Sequence, residues 1–303
     1  PRRPATPDAP DAQRPGRQHA AEHETQHRHH HGQFWPRRRR PNGQHERRDA
    51  EQQRQNRPHG SIPAQPLSRG QAREATGDYD VSLPLHLSVL TPDAVRAALE
   101  RDSRLLVPVG TCEQHGPHLP LGCDTLIVDR LADDLSAGFQ VLRAPTVSYG
   151  VNTATKRLYP GNAAVRRKTL HRWMNDLLGS WEKGGVDPFI ILTAHGHDPH
   201  QEALSTLRTR RARVFTVDIF ALDFTGYLED PDGLTHGGEL DTSLMLHLAP
   251  ELVRMDLAQD YTLTERQTAR FRLRASGAVP ARSPGSVGRP TLASAEKGAR
   301  LYK

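Results

Sequence analysis

Three short stretches hold most of the side chains that could do chemistry. The first is VPVGTCEQHGPHLPLGCDT (107–125), with Glu113, His115 and Asp124 in a turn-rich setting and His118 beside them. The second is FIILTAHGHD (189–198), which offers His195, His197 and Asp198. The third is THGGELDTS (235–243), with His236, Glu239 and Asp241. Imidazole and carboxylate together suit Zn²⁺, Mn²⁺ or Fe²⁺ rather than Ca²⁺. A carboxylate can bridge two such ions, which then polarise a carbonyl and generate hydroxide near neutral pH. A single histidine in a loop is more often a hydrogen-bonding partner than a ligand. Three clusters that each follow an apolar strand or open a helix argue instead for one joint site. A Ser-His-Asp nucleophile is poorly supported, because no G-x-S-x-G elbow follows a strand. GNAAVRRKT (161–169) lacks the glycines and the Gly-Lys-Ser/Thr ending of a phosphate loop.

The elements that must position these residues alternate along the chain. A helix is expected over 90–102, with Thr91 as N-cap and Pro92 in its first turn. LLVPV (105–109) reads as a buried strand that ends in the first polar loop. The helical spacing of 124–138 stops at Gly138. Further strands are expected at 141–150, at the apolar start of 189–198, and at 213–220. Further helices are expected at 166–185, 199–212 and 238–253, the last with Pro250 near its end. Strands apolar on both faces, separated by helices, describe an α/β domain of three layers (α/β/α) with a mostly parallel central sheet. Ligands bind beyond the carboxyl ends of the strands in such folds, where the first two polar loops fall.

The charge is uneven. Residues 1–75 hold 15 Arg, no Lys and 8 acidic residues, a net +7, whereas 76–303 holds 26 Lys or Arg against 27 acidic residues. Large apolar residues in 1–75 number four (Phe34, Trp35, Ile62 and Leu67), without periodicity. Such a segment cannot offset its ordering entropy by burial. Residues 1–78 are therefore expected to be a disordered tail, and 79–303 the folded domain. The Arg37–Arg40 run could attract nucleic acid or a membrane surface, but a solvated tail without a role is the simpler reading. Translated GC-rich upstream sequence would have the same composition, and the chain starts at Pro1 rather than Met. The histidine tract at 27–32 lacks the preorganisation of a metal site. Two cysteines, Cys112 and Cys123, are no disulfide framework, and each reads as a small buried hydrophobe. With no apolar run of membrane-spanning length and no signal-type start, a cytoplasmic protein without membrane contact is expected.

The first stretch closely resembles the E-x-H-G-x-H-L-P motif of the creatininase family, metal-dependent amidohydrolases. ILTAHGHD is similar to that family's strand and N-G-H loop, HGGELDTSLML to its H-A-G-x-x-E-T-S-L-M, and SVGRPTLASAEKGARL (286–301) to its closing G-x-P-x-x-A-x-x-x-K-G helix. The resemblance implies a creatininase-like fold and two divalent metal ions. Glu113, Asp124 and His195 would bind one ion, and His115 with the bridging Asp124 the other. His197 stands where many members carry a second-site glutamate; Glu239 is the second choice for that place. His236 matches the family's catalytic histidine, with Asp241 in place of the E-T-S glutamate. His118, Tyr149, Phe224 and Tyr227 are candidates for contact with substrate. The family's Asn and Gly before the loop histidine are Thr193 and Ala194 here, and no Trp follows Trp181, whereas creatininase proper has tryptophans near its substrate. The resemblance thus supports the metal chemistry further than creatinine as substrate. It implies hydrolysis of an amide C–N bond, cyclic or small, by a homo-oligomer, often a hexamer in the family. Alternatives are a peptidase of peptide-derived redox-cofactor maturation, a degenerate metal-binding member, and a nucleic-acid binder acting through the tail.

Overall fold

The computed structural model describes residues 83–155, 157–224, 226–230, 236–268 and 278–303. The expected tail, with its arginine run and histidine tract, lies outside the described residues. Five parallel strands form one sheet: β1 (Leu85–His86), β2 (Leu105–Val109), β3 (Leu142–Arg143), β4 (Phe189–Thr193) and β5 (Val214–Asp218), in the order β1–β3–β2–β4–β5. The helices used below are α1 (Pro92–Arg101), α2 (Cys123–Phe139), α3 (Arg167–Lys183), α4 (Asp198–Ser205), α5 (Glu239–Leu248) and α6 (Ala295–Leu301).

Alternation along β2 divides the core. Leu105, Val107 and Val109 face one side, where Ala98 of α1, Leu170, Met174 and Leu178 of α3 and Leu204 of α4 pack on them. Leu106 faces the other side, with Ile127 and Val128 of α2, Leu240, Leu244 and Met245 of α5, and Leu301 of α6. The result is the expected three-layer α/β/α sandwich. Pro108 sits in a central strand, where a proline normally removes a ladder bond. Its carbonyl accepts the Val147 N–H at 3.0 Å, on the side where β3 has already ended at Arg143, so the missing N–H costs little there. The chain leaves β2 through α2 for β3 on one side, then crosses back through α3 to β4 on the other. The switch point therefore lies between the carboxyl ends of β2 and β4. Close packing of α5 on α6 depends on Gly298, where a Cβ would run into the Ser243 carbonyl.

Several boundaries differ from expectation. The segment 141–150 contributes two strand residues plus one bridge at Val147, and Pro145 interrupts it. Helix α2 continues through Gly138 and is closed by Gln140 at φ 52°. Helix α4 stops at Ser205 because the next turn is captured from outside: the Glu182 carboxylate accepts the N–H groups of Arg210, Arg211 and Ala212 at 3.1, 2.6 and 2.7 Å. Helix α5 ends at Leu248, ahead of Pro250, and a 3-10 turn (Pro250–Leu252) follows. Strand β5 is not apolar on both faces in burial terms. It is the sheet edge, and Phe215 and Val217 are 50% and 39% exposed.

Candidate metal centre

The loop after β2 brings its acids together through backbone geometry. Gly116, at φ +83°, reverses the chain between His115 and His118. The Glu113 N–H bonds the Leu121 carbonyl at 2.8 Å and pins the two ends of the loop. Asp124 is the second residue of α2, where the unpaired N–H groups of the first turn favour an anion. All of these side chains are buried: Glu113, His115, Asp124 and His195 are at most 4% exposed.

Asp124 is the hub. Its Oδ1 lies 2.9 Å from His115 Nε2, and its Oδ2 lies 2.9 Å from His195 Nδ1. Thr111 Oγ1 also donates to Oδ2 at 2.7 Å. Each imidazole turns its other nitrogen outward. His115 Nδ1 donates to the Glu113 carbonyl at 3.1 Å, and His195 Nε2 donates to the Val151 carbonyl at 3.0 Å. In neutral rings these two bonds fix the tautomers, so His115 Nε2 and His195 Nδ1 are left as bare lone pairs facing carboxylate oxygens. Facing acceptors at 2.9 Å repel unless a cation or a proton joins them. Asp124 Oδ1 has no hydrogen-bond partner of good geometry. An outward N–H bonded to a backbone carbonyl is also how protein histidines are oriented toward metals.

Two triads of ligand atoms each lie within 4.8 Å of one another: Glu113, Asp124 and His195, and His115, Cys123 and Asp124. They share Asp124, and the donor set fits divalent ions such as Zn²⁺ or Mn²⁺. Glu113 receives the Thr153 N–H at 3.1 Å on both carboxylate oxygens, which orients it. Burial disfavours charge on the rings, but Asp124 and Glu113 outweigh it and raise His115 to about 10 and His195 to about 9. Burial also opposes charge on Asp124, yet the two imidazoles hold it well below the usual carboxylate range.

The structure places the other sequence candidates at different distances from this hub. The His236 ring stacks on His115, with centroids 4.3 Å apart, and its Nε2 lies 2.7 Å from the Gln114 carbonyl and 3.6 Å from Glu113 Oε1. Burial, then His115, keeps His236 well below its ordinary value and hence neutral. Asp241 accepts the Gly237 N–H at 2.7 Å, and burial raises it to about 6. His197 contacts His195, with ring centroids 5.9 Å apart, but joins neither triad; its carbonyl starts α4 by accepting the His200 N–H at 2.9 Å. Asp198 is exposed. Glu239 is in neither triad; it takes the N–H groups of Glu229 and Asp230 and an ion pair from Lys297. His118 is buried, with Nε2 3.0 Å from Thr242 Oγ1. Phe224 packs on the α2–α5 core, and Tyr227 lies under the Arg300 guanidinium. Tyr149 is half exposed.

Sequence reasoning passed over three residues that shape the site. Gln114 ties the loop to the C-terminal segment through Gly285, its Nε2 donating to that carbonyl at 2.8 Å. His200, wholly buried, bonds Thr193 Oγ1 and the Val151 N–H and stands edge-on to His195. Cys123 lies in the second triad. A buried histidine one turn after a ligand loop was a usable signal for His200; nothing local marked Gln114.

A buried histidine–carboxylate cluster that could hold metal ions thus lies at the switch point of a parallel α/β/α sheet. The chain belongs to the creatininase family, whose profile (Creatinine amidohydrolase) matches residues 88–303. A mycofactocin precursor peptide peptidase of Mycolicibacterium smegmatis is 30% identical over 206 residues, 65% of this chain and 79% of that protein. A 3-dehydro-scyllo-inosose hydrolase of Thermotoga maritima is 25% identical over 244 residues, 70% and 77% of the two chains. Among solved structures, a creatininase carrying a single tryptophan-to-phenylalanine substitution is 25% identical with a TM-score of 0.56, covering 72% of this chain and 93% of its own. Creatininases of the same fold have been solved in a manganese form and a Zn–Zn form.

Proposed function

We propose that this hydrolase cleaves the C–N bond of a cyclic or small amide at a two-ion centre built on Asp124. The observation that carries the reading is the pair of imidazoles that each donate outward to a backbone carbonyl and face their remaining nitrogen to one carboxylate. Glu113, Asp124 and His195 would hold one ion, and His115 with Asp124 the other. Bound divalent ions polarise an amide carbonyl and supply hydroxide near neutral pH. His236, neutral and stacked on His115, is the group that would carry a proton to the leaving nitrogen, and Asp241 fixes the Gly237 backbone beside it. Burial of the whole cluster excludes bulk water from the proton path. The zinc and manganese forms of solved creatininases support those two metals here.

One observation favours a second reading, a peptidase acting on a peptide precursor: the relative at 30% identity is named for that substrate. Metal analysis of the purified chain, followed by a panel of lactams, small amides and linear peptides with Zn²⁺ or Mn²⁺, separates the two. Turnover confined to peptides would move the assignment to the peptidase. Fewer than two ions per chain with no turnover would make the chain a degenerate member. The exposed Phe215, Val217 and Leu222 at the β5 edge support assembly as a homo-oligomer. Two free thiols suit a cytoplasmic protein.

A further inference from the structure

We infer that Cys123 is a metal ligand, its thiolate completing the second ion position with His115 and Asp124. The inference rests on the two-ion reading above and assigns that position's missing donor. Cys123 is the first residue of α2, fully buried, and its Sγ lies within 4.8 Å of a His115 ring nitrogen and an Asp124 oxygen. Those two residues also face each other: His115 Nε2 lies 2.9 Å from Asp124 Oδ1, a buried oxygen with no hydrogen bond of good geometry. The other candidates for the place are occupied or displaced. Glu239 is neutralised by Lys297 and two backbone N–H groups. His197 belongs to neither triad.

The two positions are then chemically unlike. Glu113, Asp124 and His195 give two carboxylates and one imidazole, a hard set that accepts Mn²⁺ as well as Zn²⁺. His115, Asp124 and Cys123 give one donor each of nitrogen, oxygen and sulfur, and the soft thiolate selects Zn²⁺ or Co²⁺ over Mn²⁺. On binding, the S–H bond breaks, the proton passes to solvent, and the sulfur's electron pair forms the metal bond. The competing role for Cys123 is packing alone, since it also touches the apolar cluster around Ile127.

Cobalt substitution of the full chain tests this. Cobalt(II) bound to thiolate shows a near-ultraviolet charge-transfer band that nitrogen and oxygen donors do not produce. The expected result is two Co²⁺ per chain and that band, lost in Cys123→Ser with the visible ligand-field bands retained, and kept in Cys112→Ser. Zinc should also lose its advantage over manganese at one of the two positions in Cys123→Ser. The chain has two cysteines, so a band that survives Cys112→Ser assigns the thiolate even if Cys123→Ser does not fold. Two cobalt ions without the band would overturn the thiolate and leave the two-ion centre standing. One ion with a band lost in Cys123→Ser would overturn the two-ion centre while keeping Cys123 as a ligand. One ion without a band would overturn both.

Discussion

Removing Lys297 tests whether Glu239 is structural or a metal ligand. Lys297 Nζ pairs with Glu239, reaches Glu229 Oε1 at 3.1 Å and donates to the Leu292 carbonyl at 2.7 Å. Glu239 itself is fully buried at the start of α5. Breaking a buried pair from one side costs about 3–5 kcal/mol, because the remaining charge is left without a partner. The Glu229 and Asp230 N–H groups still hold the Glu239 carboxylate, so Lys297→Met belongs at the low end, about 3 kcal/mol. For a domain of this size that is a fall in melting temperature of roughly 6–12 °C. Glu239→Gln leaves Lys297 with Glu229 and a carbonyl and should cost less, and the double variant should recover part of the loss, a positive coupling in a double-mutant cycle. Thermal and denaturant unfolding of the four proteins gives the cycle, and metal analysis of Glu239→Gln gives the ligand count, expected unchanged. A Lys297→Met shift under about 2 °C, or additive single effects, would show that the pair is not an anchor. Loss of an ion in Glu239→Gln would put Glu239 in the centre after all.

Asp124→Asn should lose both ions and Glu113→Gln mainly one, read by metal content of the purified variants; two ions in Asp124→Asn would remove it as the bridge. His197→Ala should keep two ions, and a drop to one would make His197 a ligand. Burial, then the His195 charge, pushes His200 down to about 3 from an unfolded value near ~6.5. Its folded value is depressed, so its contribution is full above ~6.5 and is lost as pH falls toward 3, by about 2 kcal/mol at pH ~5. The unfolding free-energy difference between wild type and His200→Asn should shrink by that amount from pH ~7 to ~5, and a constant difference would refute the buried neutral ring. Deleting residues 1–75 should leave melting temperature and metal content unchanged, because that segment has too little apolar surface to build a core; a large fall would show that it packs on the domain.

What the sequence made legible follows from which constraints are local. Glu113, His115 and Asp124 sit within twelve residues around Gly116 and Pro117, and His195 closely follows an apolar strand, so residue type and spacing alone brought them together. Strands β2 and β4 were equally legible, because strands buried on both faces read as unbroken apolar runs, whereas the two-residue β1 gave no such run. What failed depends on distant partners. Whether 206–212 stays helical is decided by the Glu182 carboxylate at the end of α3. The Lys297 partner of Glu239, 58 positions later, was equally beyond any local pattern. Cys123 read as a small buried hydrophobe, and the structure does bury it in the apolar cluster around Ile127 while also placing its sulfur near His115 and Asp124.

The groups that face one another around Asp124 come from two loops at the switch point, held by Thr111, Thr153, Val151 and the first turn of α2. None of these contacts involves a substrate. The segment between β5 and α5 adds His236, whose ring stacks on His115 and whose Nε2 meets the Gln114 carbonyl. Its described part carries Phe224, tied into the α2–α5 core, and Tyr227, covered by Arg300, and the segment has no tryptophan. The tryptophans expected from the resemblance to creatininase proper have no counterpart there. Changes in such a segment can alter what reaches the carbonyl-activating groups while leaving Asp124 and its two imidazoles in place. Relatives at 25–30% identity are named for a peptide precursor and an inosose, so this fold does not by itself fix the substrate. For this chain the connection from β5 to α5 is therefore a place where substitutions test substrate choice separately from metal content.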